Sequence, residues 1–109
     1  MIKIGRVKFI SKELENNFDA LSEKDFIKKS IRRAINDLKQ NAFCGVQIPK
    51  NLIPEIYIKK YGIINLWKYD LPNAWRLVYS ITQENEVELI SVILEWFDHK
   101  TYERRFHYN

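Results

Sequence analysis

The spacing of apolar residues changes along the chain, and each change predicts a different element. In KIGRVKFI, residues 3–10, Ile4, Val7 and Phe9 stand among basic residues in the near-alternation of a half-buried strand. From Ser11 the period lengthens: Leu14, Phe18 and Leu21 fall at i, i+4 and i+7, one stripe of a helix. A second helix is expected from Ser22, where SEKD puts a hydroxyl at the N-cap and Asp25 three residues on, a capping box with Asp in place of Glu. Ile27, Ile31, Ala34, Ile35, Leu38 and Ala42 form its apolar stripe, and Lys28, Lys29, Arg32 and Lys39 are expected on the opposite face. The two helices then make a hairpin with one buried seam.

Gly45, Pro49 and Pro54 interrupt this pattern and predict a loop with one helical turn in PEIYIKKYG, Pro54 at its first position and Gly62 as its stop. Beyond Gly62 come IINLWKY, AWRLVYSI and VELISVILEW, rich in β-branched and aromatic residues and joined by the short, turn-like DLPN and TQENE. Such strands in sequence predict an antiparallel meander. A terminal helix is expected from about Asp98. The fold class that follows is α+β: an N-terminal strand and helical hairpin packed on an antiparallel β-meander, with a short C-terminal helix. The helices are expected on one face of the sheet, with the first strand at an edge.

Composition narrows the class. A length of 109 residues corresponds to a single domain over 1–109, and a hydrophobic fraction of 46% excludes intrinsic disorder. The apolar runs stop well short of the roughly 18 residues that span a bilayer, and the basic start has no apolar core before a cleavage site. A cytoplasmic protein without a membrane partner is therefore expected. Cys44 is alone, which excludes an internal disulfide and the paired spacing of a zinc site. The formal charge of +4 suits an anionic partner. Its distribution is uneven: Lys3, Arg6, Lys8 and Lys12 open the chain with no acid among them, while Glu84, Glu86, Glu88, Glu95 and Asp98 crowd one later stretch.

The sequence has no glycine-rich phosphate loop, HExxH, CxxC or GxSxG, so the common signatures of nucleotide hydrolysis, zinc proteolysis and serine hydrolysis are missing. His99 and His107 would lie about 12 Å apart along a helix, too far to share a metal; no metal and no cofactor is expected. Arg76, between Trp75 and Leu77, is suited to grip a phosphate with parallel hydrogen bonds, or to pair with a carboxylate such as Asp70 or Glu88. His99 and Tyr102, three residues apart, share a helix face and could handle protons, or could be a surface histidine and a packing tyrosine. Arg104 and Arg105 are either a solvated basic tail or phosphate contacts.

The stretch NLWKYDLPNAWRLVYSI followed by VELISVILEWFDHKTYERRF resembles the C-terminal half of the RelE/ParE toxin superfamily. The shared features are the strand Trp75-Arg76-Leu77-Val78-Tyr79 and an ending of the type His99-x-x-Tyr102-x-Arg104. The likeness is specific over residues 65–105 and architectural before that. It implies a toxin of a type II toxin–antitoxin pair, with a cognate antitoxin protein as partner and mRNA, on the ribosome, as substrate. It also implies metal-free endoribonuclease chemistry, in which a ribose 2′-OH attacks the adjacent phosphorus. On that resemblance Arg76 stabilises the phosphorane, His99 transfers a proton, Tyr102 lies close by, and Arg104 and Arg105 hold RNA. The chain departs from the family where paired lysines or a glutamate are common: the strand before Arg76 carries Lys68 alone. Lys68 is then the base or a phosphate contact, or Lys59 and Lys60 approach from the preceding turn. Trp67, Tyr69, Trp75 and Trp96 are available to stack on bases or to pack the sheet. The alternative is a ParE-like relative that inhibits a topoisomerase, or a non-catalytic one that binds protein or nucleic acid.

Overall fold

The computed structural model describes residues 5–83, 85 and 88–106; the expectations for Lys3, Ile4, Glu84, Glu86 and His107 lie outside them. Among the described residues the chain runs β1 (Gly5–Phe9), α1 (Lys12–Ala20), α2 (Phe26–Gln40), β2 (Val46–Gln47), α3 (Glu55–Tyr61), β3 (Trp67–Asp70), β4 (Arg76–Gln83), β5 (Leu89–Phe97) and α4 (His99–Phe106), with short 3-10 turns at Ala42–Cys44, Lys50–Leu52 and Pro72–Ala74. The sheet is mixed, in the order β1-β5-β4-β3-β2. Strands β3, β4 and β5 form the expected antiparallel meander, and β1 lies at an edge, parallel to β5. The domain is α+β.

The helices do not share one face. On one side α1 and α2 bury Phe18, Ile27, Ile31, Ala34 and Leu38 against Leu77, Tyr79 and Ile93. On the other, Tyr57 of α3 and Tyr102 of α4 join Ile48, Ile53, Leu66, Val78, Val92, Leu94 and Phe97. Burial on both sides explains why VELISVILEW reads as a continuous apolar run rather than an alternating one. Within it the pairing jumps from Tyr79↔Ile93 to Val78↔Glu95, so Leu94 is the extra residue of a β-bulge.

The second helix starts three residues later than its capping pattern implies. Asp25 is the N-cap, its side chain accepting the Ile27 N–H at 2.9 Å, while Ser22 closes the preceding turn by accepting the Lys24 N–H at 3.2 Å. Lys28, expected on the solvated face, is buried. Its ammonium donates to the carbonyls of Asp19 at 3.2 Å and Leu21 at 3.1 Å and pairs with Glu23 at 2.8 Å. The last turn of α1 has no basic residue of its own, so Lys28 supplies the cation that its unsatisfied carbonyls favour. Hydrogen bonds from Lys28 and then Arg32 hold the Glu23 carboxyl at about 2, against an ordinary 4.5. A folded value below the unfolded one contributes stability that is fully present above the unfolded value and is lost as pH falls through the folded one. Glu23→Gln is therefore expected to flatten the dependence of the urea midpoint on pH between about 4.5 and 2. A wild-type slope in that window would refute the pairing.

The β3–β4 turn carries backbone strain. Asn73 and Ala74 both have positive φ, 60° and 62°. Consecutive left-handed residues closed by the Trp75 N–H bond to the Pro72 carbonyl make a turn of type I′, which prefers Asn-Gly and here has Asn-Ala. Replacing Ala74 with Gly should raise stability by about 1 kcal/mol in thermal or urea unfolding, because Cβ is disfavoured in this region.

Candidate functional site

Side chains alternate along β3, so Trp67 and Tyr69 face α2 while Lys68 and Asp70 face the opposite side. Tyr69 donates a short hydrogen bond to Asp37 of α2. Together with burial, that bond raises the Tyr69 phenol to about 12. Trp67, Tyr69, Trp75 and Trp96 all pack with the helical hairpin's core. The aromatics proposed as base-stackers thus lie on the face away from Lys68.

Register sets the rest. Asp70 pairs with Arg76 across β3 and β4, and Arg76 pairs with Phe97 of β5. This places Lys68, Asp70 and Arg76 on the face that α4 covers. Helix α4 begins where the Asp98 carboxylate accepts the Thr101 N–H at 2.9 Å, an N-cap interaction that lowers the Asp98 pKa. One turn along, Tyr102 is buried at 3% exposure, its ring against Phe97 and Phe106. The Arg76 guanidinium lies 5.1 Å and the Lys68 ammonium 5.7 Å from the centre of that ring. Two cations thus share one aromatic side chain, a favourable arrangement because the ring face is negative.

Asp70 joins both cations: its Oδ1 lies 3.0 Å from Arg76 Nε and 3.4 Å from Lys68 Nζ. Of the two carboxylate partners foreseen for Arg76, the structure selects Asp70; Glu88 instead lies 3.8 Å from Arg6. The pairing with Asp70 is not a fork. Arg76 Nε has no acceptor at hydrogen-bond angle although it is buried, and Nη1 donates to the Trp75 carbonyl at 3.1 Å. The cations are mostly covered, with 17% and 20% of their side chains exposed, whereas Asp70 is 58% exposed.

His99 does not enter this cluster through any contact seen here. Its Nε2 lies 2.9 Å from Glu103 Oε1, one turn along α4, and its side chain is half exposed. Lys59 pairs at 3.6 Å with Glu55 on the exposed side of α3, and Arg104 donates to Thr101 Oγ1 at 3.4 Å. Arg105 turns elsewhere. It donates to Glu95 at 2.9 Å, and the other oxygen of Glu95 accepts the Tyr57 hydroxyl at 2.7 Å. Burial first, and then this bond to a carboxylate, push the Tyr57 phenol far up.

Glu95, Tyr57, Arg105 and Lys60 line a groove of about 530 Å³ between α1 and α3. Sequence reasoning left Glu95 and Tyr57 out of the site. The available signal was a carboxylate inside VILEW, because an acid in an otherwise buried strand needs partners. Arg76, Lys68 and Tyr102 are therefore brought together, whereas Lys60 and Arg105 belong to the second cluster and His99, Lys59 and Arg104 stand outside both. In comparisons with protein families, curated proteins and solved structures, nothing matches the chain.

Proposed function

We propose that this protein is a metal-free endoribonuclease toxin of the RelE type, acting on mRNA and held in check by an antitoxin protein. The observation that carries the reading is the pair Arg76 and Lys68, two largely covered cations flanking Tyr102 on one face of the sheet. A fixed guanidinium beside a second cation suits a reaction whose transition state gathers negative charge on phosphorus, because preorganised charge costs no reorganisation at the moment of reaction. In that reaction the ribose 2′-oxygen bonds to phosphorus and the bond from phosphorus to the 5′-oxygen breaks. The products are a 2′,3′-cyclic phosphate and a 5′-hydroxyl. The 2′-OH proton passes to a base, and the departing oxygen takes a proton from an acid. His99 is assigned to this proton transfer by the family resemblance, and Lys68, by its place in the cluster, to a phosphate contact.

The test is to add purified protein to a translating extract and map the ends of the transcripts. Cuts ending in cyclic phosphate and 5′-hydroxyl are expected. Intact transcripts together with loss of topoisomerase supercoiling would overturn the reading in favour of a ParE-like inhibitor. One observation favours that second reading: the His99 ring is engaged by Glu103 rather than by the Arg76 cluster.

A further inference from the structure

We propose that Asp70 is a built-in competitor for RNA phosphate, occupying the position of the substrate anion on Arg76 and Lys68 until the substrate displaces it. The inference rests on the ribonuclease reading and adds to it a residue that sets how tightly the site holds RNA.

Three features support it. First, the shared oxygen of Asp70 bridges both cations, 3.0 Å from Arg76 Nε and 3.4 Å from Lys68 Nζ, where a phosphate oxygen would sit to contact both. Second, the exposure is lopsided: the carboxylate is the solvent-facing member and the cations are the covered ones. An exposed carboxylate regains hydration when it leaves, so its departure costs little. The cations keep their place through Tyr102 and the Trp75 carbonyl. Third, the pairing leaves the Arg76 Nε–H without an acceptor at hydrogen-bond angle. A guanidinium binds carboxylate or phosphate best through two parallel N–H bonds, so Asp70 holds Arg76 by less than its full capacity. A phosphate that takes up the unused donor gains over the carboxylate it replaces.

The exchange also has a charge consequence. A phosphodiester carries one negative charge, as Asp70 does, so a diester that merely replaces it leaves the local charge unchanged. Removing Asp70 should strengthen binding of the substrate and of the transition state together, which appears in KM and not in kcat.

The experiment uses the full chain and a single-stranded RNA made uncleavable by 2′-deoxy substitution at the cut site. Asp70→Asn, nearly isosteric, is expected to bind this RNA about five- to tenfold more tightly than wild type at ~0.1 M salt, the gain shrinking at high salt. On cleavable RNA its KM should fall by the same factor without a rise in kcat. In an Arg76→Ala background the gain should shrink to the part that comes from releasing Lys68 alone. If Asp70→Asn leaves affinity unchanged or weaker and lowers kcat, while Arg76→Ala still weakens RNA binding, Asp70 merely positions Arg76; the competitor proposal is then wrong and the ribonuclease reading stands. If neither substitution changes RNA binding, both fall together.

Discussion

Arg76→Ala is expected to slow RNA cleavage about 100- to 1000-fold, the loss typical when one preorganised donor to a developing oxyanion is removed. The side chain sits at the start of β4, held by its bond to the Trp75 carbonyl and by the Tyr102 ring. A cation held this way is already in place when charge develops on phosphorus, and alanine leaves no group that could replace it. The fold should survive: the partner left behind is an exposed carboxylate, and the lost ring contact is worth about 1 kcal/mol. Single-turnover cleavage of ribosome-bound transcripts, read beside thermal unfolding, checks both halves. Near-wild-type cleavage by a folded variant would remove Arg76 from the chemistry. Arg76→Lys should recover only part of the rate, since an ammonium keeps the charge but lacks the planar fork.

Gly45→Ala is expected to destabilise the domain by about 2–4 kcal/mol, the largest effect on folding foreseen for so small a change. A Cβ at this position would lie 2.5 Å from the Lys68 carbonyl oxygen and 2.6 Å from the Tyr79 hydroxyl. The first of these is backbone in β3 and cannot swing aside. The second accepts the Gly45 N–H at 3.1 Å and donates to the Ala42 carbonyl at 2.8 Å, inside a buried cluster. Moving it would leave buried backbone groups unpaired. Burial pushes the Tyr79 phenol well above its ordinary range, consistent with a hydroxyl that stays protonated as this donor. Urea midpoints provide the measurement. Adding Tyr79→Phe removes the hydroxyl contact but not the carbonyl one, so it should fail to rescue the alanine variant. A rescue to wild-type stability would show that β3 yields more than its carbonyl position suggests.

The elements were legible where one period dominated. Leu14 and Phe18, and then Ile27, Ile31, Ala34 and Leu38, are stripes that only a helix makes, and they are buried as such. Pro54 and Gly62 bracket α3, Pro54 at the N-cap, one position earlier than expected, and Gly62 as the expected stop in the left-handed conformation that ends helices. What periodicity could not convey was the second layer. α3 and α4 are short, their apolar residues too few to say which face of the sheet they cover, and β5 is apolar on both sides. The two-residue strand β2 was hidden for a related reason: Val46 and Gln47 are both exposed and follow no burial pattern.

The site was legible in part. Lys68 and Arg76 face α4 because of strand alternation and register, and the register depends on a turn whose Asn-Ala sequence does not advertise it. Glu95 needed a different clue. Its partners, Tyr57 and Arg105, are 38 and 10 residues away, and no local spacing points to either.

The bulge at Leu94 resets which way the chain looks. Upstream, Ile90 and Val92 face α3 and α4; downstream, Phe97 does, although its odd number would have turned it to the other side in an uninterrupted strand. Take Leu94 out and the ladder closes without a gap: Glu95 would follow Ile93 directly, still opposite Val78 and still on the side of α3, and Phe97 would stay opposite Arg76. What the surplus residue adds is a second side chain on the same face, so that a leucine fills the core beside the carboxylate that meets Tyr57 and Arg105. A single-codon deletion there should therefore spare the ground around Arg76 and Lys68 and cost the domain one buried leucine.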